Sequence, residues 1–352
     1  MTNKIKILVS VYNISGYLIA EVSALLTKGA EISIVEVPCR LSEDAHKAFP
    51  TIRWIDRSAV VDDEGLSKVI EGWLPDIFLC CGWNDKMSCN LARRLHALGT
   101  TTVVGVDNPW EGTSRQFLRC LISRFYLLHL FDFGWGSGEP QAKYLKKLGF
   151  FPSRIKTGFY CADTNKFSLL MRPLNEPWPH SFIYVGRYVA DKNMRRMERG
   201  FLKALKLMPD SDWNLRCIGG GVLWEARTLH PRIEHLGYKA PSELQNYIGS
   251  SGCFVLPSTS EHWGVVVHEF ALMGLPLICS NKVMATTAFV KEGENGFLFD
   301  PYDVDAIAKA FCRIMQKTDD ELALMGSKSH DLGMRYTTDD WAERLLAMRL
   351  ER

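Results

Sequence analysis

Two glutamates eight positions apart mark the part of this sequence whose residue types best suit chemistry. Glu261 and Glu269 enclose a Trp-Gly pair and three consecutive valines in SEHWGVVVHEFALMGLP, residues 260–276. The preceding GCFVLPSTS is typical of a strand that runs into a loop, and Gly274 followed by Pro276 predicts the end of a helix. We therefore expect Glu261 in a loop and Glu269 two turns into the next helix, roughly 12 Å apart.

This spacing suits an elongated ligand that is bound at both ends. Gly264 would let the backbone approach a ligand closely, and the helix start near residues 264–266 offers free N–H groups for a phosphate. A carboxylate would repel phosphate, but it is a strong acceptor for hydroxyl groups. A ligand with hydroxyl-bearing groups on both sides of a phosphate is a nucleotide sugar, so this class of ligand fits the segment. The alternative is that both glutamates are solvated charges at a helix start.

A second segment places two cations between a predicted strand and a predicted helix. In FIYVGRYVADKNMRR, residues 182–196, Arg187 ends the strand and Lys192 precedes the helix. The carboxyl edge of a parallel sheet is where phosphate ligands bind, and Arg187 could hold a phosphate through two hydrogen bonds while Lys192 acts as a point charge. The alternative is a basic surface cluster, because two more arginines follow.

The composition fits a two-domain globular protein. The chain has 352 residues, 47% of them apolar, and a formal net charge of +2, which gives no global field toward nucleic acid. Its ten cysteines lie mostly in apolar runs without a C-x-x-C pair, so we expect reduced thiols in a cytosolic protein and no metal site. The apolar run at the N-terminus predicts a strand and not a signal peptide.

The order of elements predicts two successive parallel α/β domains. In the first half, strands are expected at 6–12, 31–37, 76–82, 101–107 and 130–136, with helices at 16–28, 65–72, 85–98, 113–127 and 138–149. RPLNEPWPH, residues 172–180, interrupts the pattern as a linker. In the second half, strands are expected at 181–187, 213–219, 233–237, 252–257, 276–280 and 296–299, with helices at 193–207, 222–229, 241–249, 265–273 and 303–316 and a helical tail at 319–350.

Together these segments resemble the donor-binding domain of GT-B fold glycosyltransferases, and glycosyltransferase family 4 in particular. The resemblance runs from about 182 to 345 and rests on VGRYVADKN, LRCIGGG, IEHLGYKAPSELQNYI, FVLPSTSEHWGVVVHEFALMGLPLICS and EGENGFLFDPYDVDAIAKAF. It implies two Rossmann-like parallel-sheet domains that face each other across a cleft. The expected parts are an acceptor-binding domain (1–167), a linker (168–180), a nucleotide-sugar donor domain (181–335) and a C-terminal helix that packs back on the first domain (336–352).

The resemblance also implies the chemistry, which is a retaining, metal-independent transfer of sugar from a UDP- or GDP-type donor without a cofactor. Arg187 and Lys192 would stabilise the leaving diphosphate, Glu261 would contact the donor sugar, and Glu269 would bind the ribose. Further donor contacts would come from Gly186, Gly237, Tyr238, Trp263, Gly264 and Val265. His262 departs from the EGFG or EPFG that family members commonly carry; it could contact the donor or the acceptor, and the alternative is a tolerated loop residue. Two Asp-x-Asp strings, at 210–212 and 303–305, are expected to be surface or capping residues.

The first half of the chain fits the fold but departs from the family's motifs. Many members carry a histidine after the fourth strand, facing the reacting centre, where this chain has VVGVDNPWEGTSRQF with Asp107. Asp107 could accept or orient the acceptor's proton, or it could be a turn residue at a strand end. The usual glycine-rich loop is reduced to YNISGYL, with Gly16 as its only glycine.

Two segments of the first half combine basic and bulky apolar residues, RQFLRCLISRFYLLHLF (115–131) and YLKKLGFFPSR (144–154). Such a surface could rest on a bilayer, and the alternative is a core helix with peripheral arginines. We therefore expect a cytoplasmic enzyme, able to lie on the inner face of the membrane, that adds sugar to a lipid-linked or growing surface glycan. The alternatives are a sugar phosphorylase or nucleotide-sugar hydrolase of the same fold, or a non-catalytic nucleotide-sugar-binding subunit.

Overall fold

The structure, a computed structural model, describes residues 4–60, 63–167, 170, 177–239 and 241–350. The chain forms two compact units. Unit 1 comprises Met1–Asp163 and Tyr336–Arg352, and unit 2 comprises Thr164–Arg335. Each unit is built on one parallel sheet, so the prediction of two parallel-sheet α/β domains is confirmed. Most of the predicted linker, 168–169 and 171–176, lies outside the described residues.

Unit 1 contains a seven-stranded parallel sheet in the order β3-β2-β1-β4-β5-β6-β7. Two central strands, β4 and β5, are buried along their whole length, as expected for a sheet covered on both faces. The strands are β1 (Lys6–Ser10), β2 (Glu31–Glu36), β3 (Arg53–Asp56), β4 (Ile77–Cys80), β5 (Thr101–Val106), β6 (Phe133–Gly136) and β7 (Ile155–Thr157). The helices are α1 (Gly16–Thr27), α2 (Arg40–Ala48), α3 (Asp63–Ile70), α4 (Lys86–Ala97), α5 (Ser114–Tyr126) and α6 (Glu139–Leu148).

The sequence patterns missed the two edge strands of this sheet. β3 is four residues long with one fully buried position, and β7 has three residues, none of them fully buried. Edge strands of this length lack the apolar run that identifies a central strand, because one of their sides has no neighbouring strand. Helix α2 was also not predicted, because most of its residues are polar and its sequence has too few apolar residues to indicate a helix.

Unit 2 contains a six-stranded parallel sheet in the order β10-β9-β8-β11-β12-β13. Its strands are β8 (Ser181–Val185), β9 (Asn214–Ile218), β10 (Ile233–Gly237), β11 (Cys253–Leu256), β12 (Leu277–Ser280) and β13 (Gly296–Phe299). Its helices are α7 (Met194–Leu207), α8 (Pro241–Gly249), α9 (Val265–Leu272), α10 (Thr286–Phe289), α11 (Val304–Met315) and α12 (Asp319–Gly333).

The predicted helix at 222–229 is wrong. Only one 3₁₀ turn forms there, at Trp224–Ala226. The N–H of Leu223 donates to the carbonyl of Tyr188 at 2.9 Å, and the backbone and side chain of Thr228 both donate to Glu198. Contacts with the neighbouring loop and helix α7 therefore replace the hydrogen bonds that a helix would make.

The C-terminal tail contains two helices separated by a break. Helix α12 belongs to unit 2, and the last helix, α13 (Thr338–Leu346), belongs to unit 1. Trp341 of α13 stacks on Trp135 with ring centroids 4.9 Å apart, and its indole N–H donates to the carbonyl of Phe159 at 2.8 Å. Residues from α13 thereby complete the apolar core of unit 1.

Candidate active site

Lys192 and Glu261 form an ion pair at the carboxyl end of the unit 2 sheet. Lys192 ends a 3₁₀ turn that follows β8, and Glu261 lies in the loop that follows β11. Lys192 Nζ donates to Glu261 Oε2, and the hydroxyl of Ser258 donates to the same oxygen at 3.3 Å. Both side chains are largely buried, with 14% and 21% exposed. The structure thus brings together two predicted site residues that are 69 positions apart in the chain.

Asn193 fixes the turn that carries Lys192. It is the only described non-glycine residue with a positive φ, at 57°, a conformation that asparagine tolerates better than most residues. Its side-chain amide donates to the carbonyls of Pro257 at 3.0 Å and Pro301 at 2.8 Å. The loop after β11 is further joined to this turn because the N–H of Thr259 donates to the carbonyl of Asp191 at 2.8 Å.

Glu261 is held in an extended backbone segment. Its N–H donates to the carbonyl of Lys282 at 3.1 Å, and its carbonyl accepts from Met284 at 3.2 Å. Gly264, three residues later, has φ = 98°, and a Cβ there would lie 3.0 Å from Glu261 Cγ and 3.2 Å from Val283 Cγ1. Glycine is therefore required at 264 for its conformation and for the space that the Glu261 side chain occupies.

Helix α9 begins directly after Gly264 without a side-chain cap. Among the described residues, no acceptor takes the backbone N–H groups of Gly264, Val265 or Val266. These amides point out of the first turn of a helix, where the partial positive charge of the dipole favours an anion. The uncharged side chains of Trp263 and Val267, on either side of this first turn, are buried.

Trp263 lies in the core next to this turn. Its side chain is 3% exposed and its Nε1 has no hydrogen-bond partner among the described residues. Its carbonyl accepts from Ala285 at 2.9 Å, so of its backbone groups only the N–H remains for the predicted ligand contact. His262, in contrast, is exposed.

Glu269 is the fifth residue of α9, a little more than one turn from its start, whereas two turns were expected. Its side chain is partly exposed. The helix starts at Val265, which is the start that the predicted helix at 265–273 already had, so the estimate of two turns overcounted the four helical residues that precede Glu269. Glu261 and Glu269 therefore lie in a loop and in the helix that follows it, as expected.

Arg187 follows β8 and is exposed. Its carbonyl accepts from the Tyr184 hydroxyl at 2.9 Å, and its guanidinium has no ion-pair partner among the described residues. Burial raises the pKa of the Tyr184 hydroxyl far above its ordinary value; the Glu261 carboxylate adds to this shift and the Arg187 guanidinium opposes it. Because Arg187 follows β8, it lies at the carboxyl end of the unit 2 sheet, as does the Lys192–Glu261 pair.

Two glycines after β9 pack against this segment at very short range. Gly219 has φ = 138°, and a Cβ there would lie 1.9 Å from the carbonyl oxygen of Gly186. Gly221 has φ = 151°, and its Cβ would lie 2.6 Å from the carbonyl oxygen of Tyr188. The glycine run thus lets the loops after β8 and β9 lie in contact on both sides of Arg187.

A buried polar network behind Arg187 was not found from the sequence. Tyr188 donates its hydroxyl to His235 Nδ1 at 2.9 Å, and His235 Nε2 donates to the carbonyl of Thr228 at 3.0 Å. Glu198, fully buried on α7, accepts from the backbone and hydroxyl of Thr228 at 3.1 and 2.6 Å. These residues fix the backbone that follows Arg187. They come from four separate segments of the chain, so no local sequence pattern indicated the network.

The other predicted donor contacts lie at the ends of neighbouring strands. Gly237 ends β10 with φ = 68°, and its carbonyl accepts from the N–H of Gly219 at 2.8 Å. Tyr238 follows and is 80% exposed. Its ring is therefore available for a planar ligand such as a base.

In unit 1, Asp107 lies at the carboxyl end of β5 beside a cavity of ≈ 170 Å³. Its Oδ1 accepts from the Asn108 side chain at 2.8 Å, and its carbonyl accepts from Gln141 at 2.9 Å. The cavity is lined by residues after β1 and β4 and by the end of β5 with the residues that follow it, namely Tyr12, 81–85 and 105–108. The structure therefore gives Asp107 polar neighbours, and no ion-pair partner for it is present among the described residues.

Several buried ionisable groups lie near Asp107. Burial raises the pKa values of Tyr17 and Tyr160, and in both cases the Asp107 charge contributes to the shift. Burial also raises the pKa of Cys81 well above its ordinary range, and the Asp107 charge contributes to that shift too. The surroundings of Asp107 thus favour the neutral forms of these three neighbouring groups.

The two Asp-x-Asp strings serve structural roles. Asp303 caps α11 by accepting from the N–H of Asp305 at 2.7 Å, and Asp305 pairs with Lys203. Asp212 pairs with His180 at 2.6 Å. Within the described ranges, no cluster of three or more metal-ligating side chains is present, and no helix there has the length and apolar character that a membrane crossing requires.

Comparisons with known proteins show which family this chain is similar to. Residues 174–329, which lie in unit 2, match the family described as Glycosyl transferases group 1. Exopolysaccharide phosphotransferase of Streptomyces coelicolor is 28% identical over 212 residues, 57% of this chain and 20% of the relative. O-antigen chain mannosyltransferase B of Escherichia coli is 31% identical over 150 residues, 40% of this chain and 38% of the relative. The chain thus spans well under half the length of these relatives.

A solved structure extends the likeness to the whole chain. The structure of Anabaena HepE in complex with UDP and glucose matches with a TM-score of 0.72 at 13% identity, covering 97% of this chain and 98% of that chain. At this identity the likeness concerns the fold. The resemblance to GT-B glycosyltransferases is confirmed, and the narrower assignment to family 4 stays a prediction.

Proposed function

We propose that this chain is a retaining glycosyltransferase that moves a sugar from a nucleotide-diphosphate sugar of the UDP or GDP type to a lipid-linked or growing surface glycan. The observation that carries the proposal is the grouping at the carboxyl end of the unit 2 sheet. A buried cation and carboxylate, Lys192 and Glu261, occur together with the uncapped first turn of α9. A positive group and free amides suit a diphosphate, and the carboxylate suits the hydroxyls of the attached sugar.

The cations would act mainly on the leaving group. As the bond between the sugar and the diphosphate breaks, negative charge develops on the diphosphate oxygens. Lys192 and Arg187, aided by the amides of Val265 and Val266, would stabilise that charge more strongly than the charge of the intact donor. In this proposal a divalent metal is not needed, because fixed cations and amides neutralise the diphosphate.

Binding the donor would change the partner of Lys192. In the structure Lys192 is paired with Glu261, and the arriving diphosphate would compete for the ammonium group. Glu261 would then accept hydrogen bonds from the donor sugar, with Ser258 still donating to it. Glu269, one turn further along α9, would accept from the ribose hydroxyls, and Tyr238 would lie near the base.

The acceptor assignment rests on unit 1 and on the relatives. The relatives' names refer to exopolysaccharide and O-antigen chains, and HepE was solved with UDP and glucose. In this chain Asp107 and the adjoining cavity would receive the acceptor hydroxyl, with Asp107 accepting or orienting its proton.

A binding experiment tests the donor site first. Thermal shifts would be measured with UDP, GDP, ADP, CMP and their common sugar conjugates at about 1 mM. A ligand at 100 times its dissociation constant stabilises the protein by about 2.7 kcal/mol. We expect one nucleotide family to give a shift that Glu269→Ala reduces, because the loss of charge-assisted hydrogen bonds weakens binding about 10- to 100-fold.

Glu294→Ala is the matched control. Glu294 is exposed and lies in the segment before β13, so it is on the amino edge of the same parallel sheet. An equal loss of the shift in both variants, or an unchanged shift in Glu269→Ala, would contradict the ribose assignment.

Turnover then separates the proposed function from its alternatives. Nucleotide release would be measured with polyprenyl-diphosphate-linked sugars and with free oligosaccharides, and the anomeric configuration of the product would be determined by NMR. Acceptor-dependent release with retained configuration supports the proposal. Release of free sugar would indicate a hydrolase, dependence on phosphate a phosphorylase, and binding without turnover a non-catalytic subunit.

A further inference from the structure

Helix α5 is held to the rest of unit 1 by polar side chains that lie on one of its faces. Gln116 is buried, where its side chain accepts from the N–H of Glu111 at 2.8 Å and donates to the carbonyl of Pro109 at 2.8 Å. The buried hydroxyl of Ser123 donates to the carbonyl of Leu148 at 2.7 Å. Arg119 reaches back to the side chain of Asn84 at 3.1 Å. Side chains that usually face water therefore fix this helix to the unit.

The opposite face of α5 is apolar and exposed to solvent. Five bulky side chains, each 54 to 79% exposed, lie on it: Phe117, Leu118, Leu121, Ile122 and Phe125. With about 100° of rotation per residue, they occupy one continuous arc of roughly 140°. We call this set the α5 outer face. It inverts the usual order of a surface helix, whose apolar stripe faces the core.

Cations lie along both borders of the α5 outer face. The same helical geometry puts Arg115 about 20° beyond Ile122 and Arg124 about 20° before Phe117. The helix carries three arginines and no acidic residue. Exposed Lys146 and Lys147 of α6 add further positive charge nearby, because the Arg124 side chain lies 3.2 Å from the Cβ position of Gly149, which directly follows α6.

We propose that the α5 outer face docks unit 1 on an anionic bilayer surface, with the helix lying in the plane of the interface. An apolar arc bordered by arginines fits this partner, because the apolar side chains enter the boundary between headgroups and acyl chains while the guanidinium groups contact lipid phosphates. A second copy of the chain fits less well, since a two-fold contact through this face would bring the bordering arginines of both copies together. The inference concerns a surface outside the donor site and does not depend on the proposed reaction.

The test is cosedimentation of the full chain with vesicles of phosphatidylcholine alone and with about 30% phosphatidylglycerol. We expect binding to the anionic vesicles that weakens with salt. Replacing Phe117, Leu121 and Phe125 together by serine should weaken binding about tenfold or more. Arg115→Gln and Arg124→Gln should each cost about fivefold on anionic vesicles and little on phosphatidylcholine.

The matched control replaces two equally exposed leucines of unit 2, Leu207→Ser and Leu324→Ser, and should bind as wild type. Because the replaced residues are all exposed, thermal unfolding should show that each variant stays folded. The proposal is overturned if wild type does not bind the anionic vesicles, or if the triple variant binds as well as wild type. A wild-type dimer that becomes monomeric in the triple variant, without vesicle binding, would assign the face to a second copy instead.

Discussion

Units 1 and 2 share an architecture but differ in how they present chemistry. Each is a parallel sheet whose functional candidates lie at the carboxyl ends of the strands. In unit 2 those ends carry an ion pair, Lys192–Glu261, and an uncapped helix start at Gly264. In unit 1 they carry Asp107, and burial favours the neutral forms of its neighbours Cys81 and Tyr160.

In the proposed function this difference follows from the two ligands, a donor diphosphate for unit 2 and an acceptor hydroxyl for unit 1. A diphosphate has fixed charge and geometry, so a site for it needs cations, free amides and glycines at fixed places, and these leave a motif in the sequence. An acceptor hydroxyl needs one oriented acceptor group and a cavity of suitable shape. Such a site can be built from many residue types, which is why unit 1 keeps the fold while its motifs depart from the family's pattern.

The largest expected effect is on kcat, from removing the two cations of unit 2 that would stabilise the leaving diphosphate. Arg187→Ala and Lys192→Ala should each lower kcat about 10²- to 10³-fold, with a smaller change in donor affinity, because the lost charge acts mainly on the developing diphosphate. Steady-state kinetics combined with donor titration would measure the two effects separately. The control is Arg195→Ala, which removes an exposed arginine of the same segment. An equal loss of kcat in this variant would indicate that Arg187 and Lys192 act only as part of a general basic cluster.

The next largest effect concerns the glycine run of unit 2. Gly219→Ala should destabilise unit 2 by about 2–4 kcal/mol, because the residue has φ = 138° and its Cβ would lie 1.9 Å from the carbonyl of Gly186. Gly220→Ala should be close to neutral, since its Cβ would meet nothing within 4 Å. Denaturant unfolding of both variants checks the contrast, and similar values for the two would mean that the loops after β8 and β9 relax freely.

A smaller effect is expected for the candidate residue of unit 1. Asp107→Asn should lower kcat about tenfold, the loss of one charge-assisted hydrogen bond, and leave donor affinity unchanged. Kinetics with a saturating donor, together with the donor thermal shift, would measure both. An unchanged kcat would show that Asp107 is a turn residue. Weaker donor binding would contradict the proposal that unit 2 binds the donor while unit 1 binds the acceptor.

The smallest effect is a pH dependence in unit 1. Burial raises the pKa of the Glu21 carboxyl well above its ordinary value, so the unfolded chain loses this proton first. The stability from the neutral carboxyl is complete below the unfolded-state pKa near 4.3 and declines as the pH rises, on the order of 1 kcal/mol between pH 4.5 and 5.5. Glu21→Gln should flatten this decline in denaturant unfolding, whereas exposed Glu71→Gln should keep it; parallel profiles for Glu21→Gln and wild type would contradict the assignment.

The sequence predicted the central strands and the loop-helix order at Glu261 and Glu269, because buried parallel strands are apolar runs and Gly274–Pro276 ends a helix clearly. It could not predict the Lys192–Glu261 contact, which joins loops 69 residues apart. The helix at 222–229 failed because tertiary hydrogen bonds from Leu223 and Thr228 replaced helical ones. The sequence also could not predict which face of α5 is buried, because the order of its apolar and basic residues does not distinguish an apolar face toward the core from one toward solvent.

The ion pair between Lys192 and Glu261 has a consequence for which solutes the proposed donor site admits. A simple anion such as inorganic phosphate can take Lys192, but it leaves a largely buried carboxylate without its cation, which is costly. A sugar diphosphate brings hydroxyl donors for Glu261 along with the negative charge for Lys192, so both groups exchange one partner for another. We therefore expect the site to stay closed to abundant cellular anions and to admit only molecules that carry both chemical groups at the right separation.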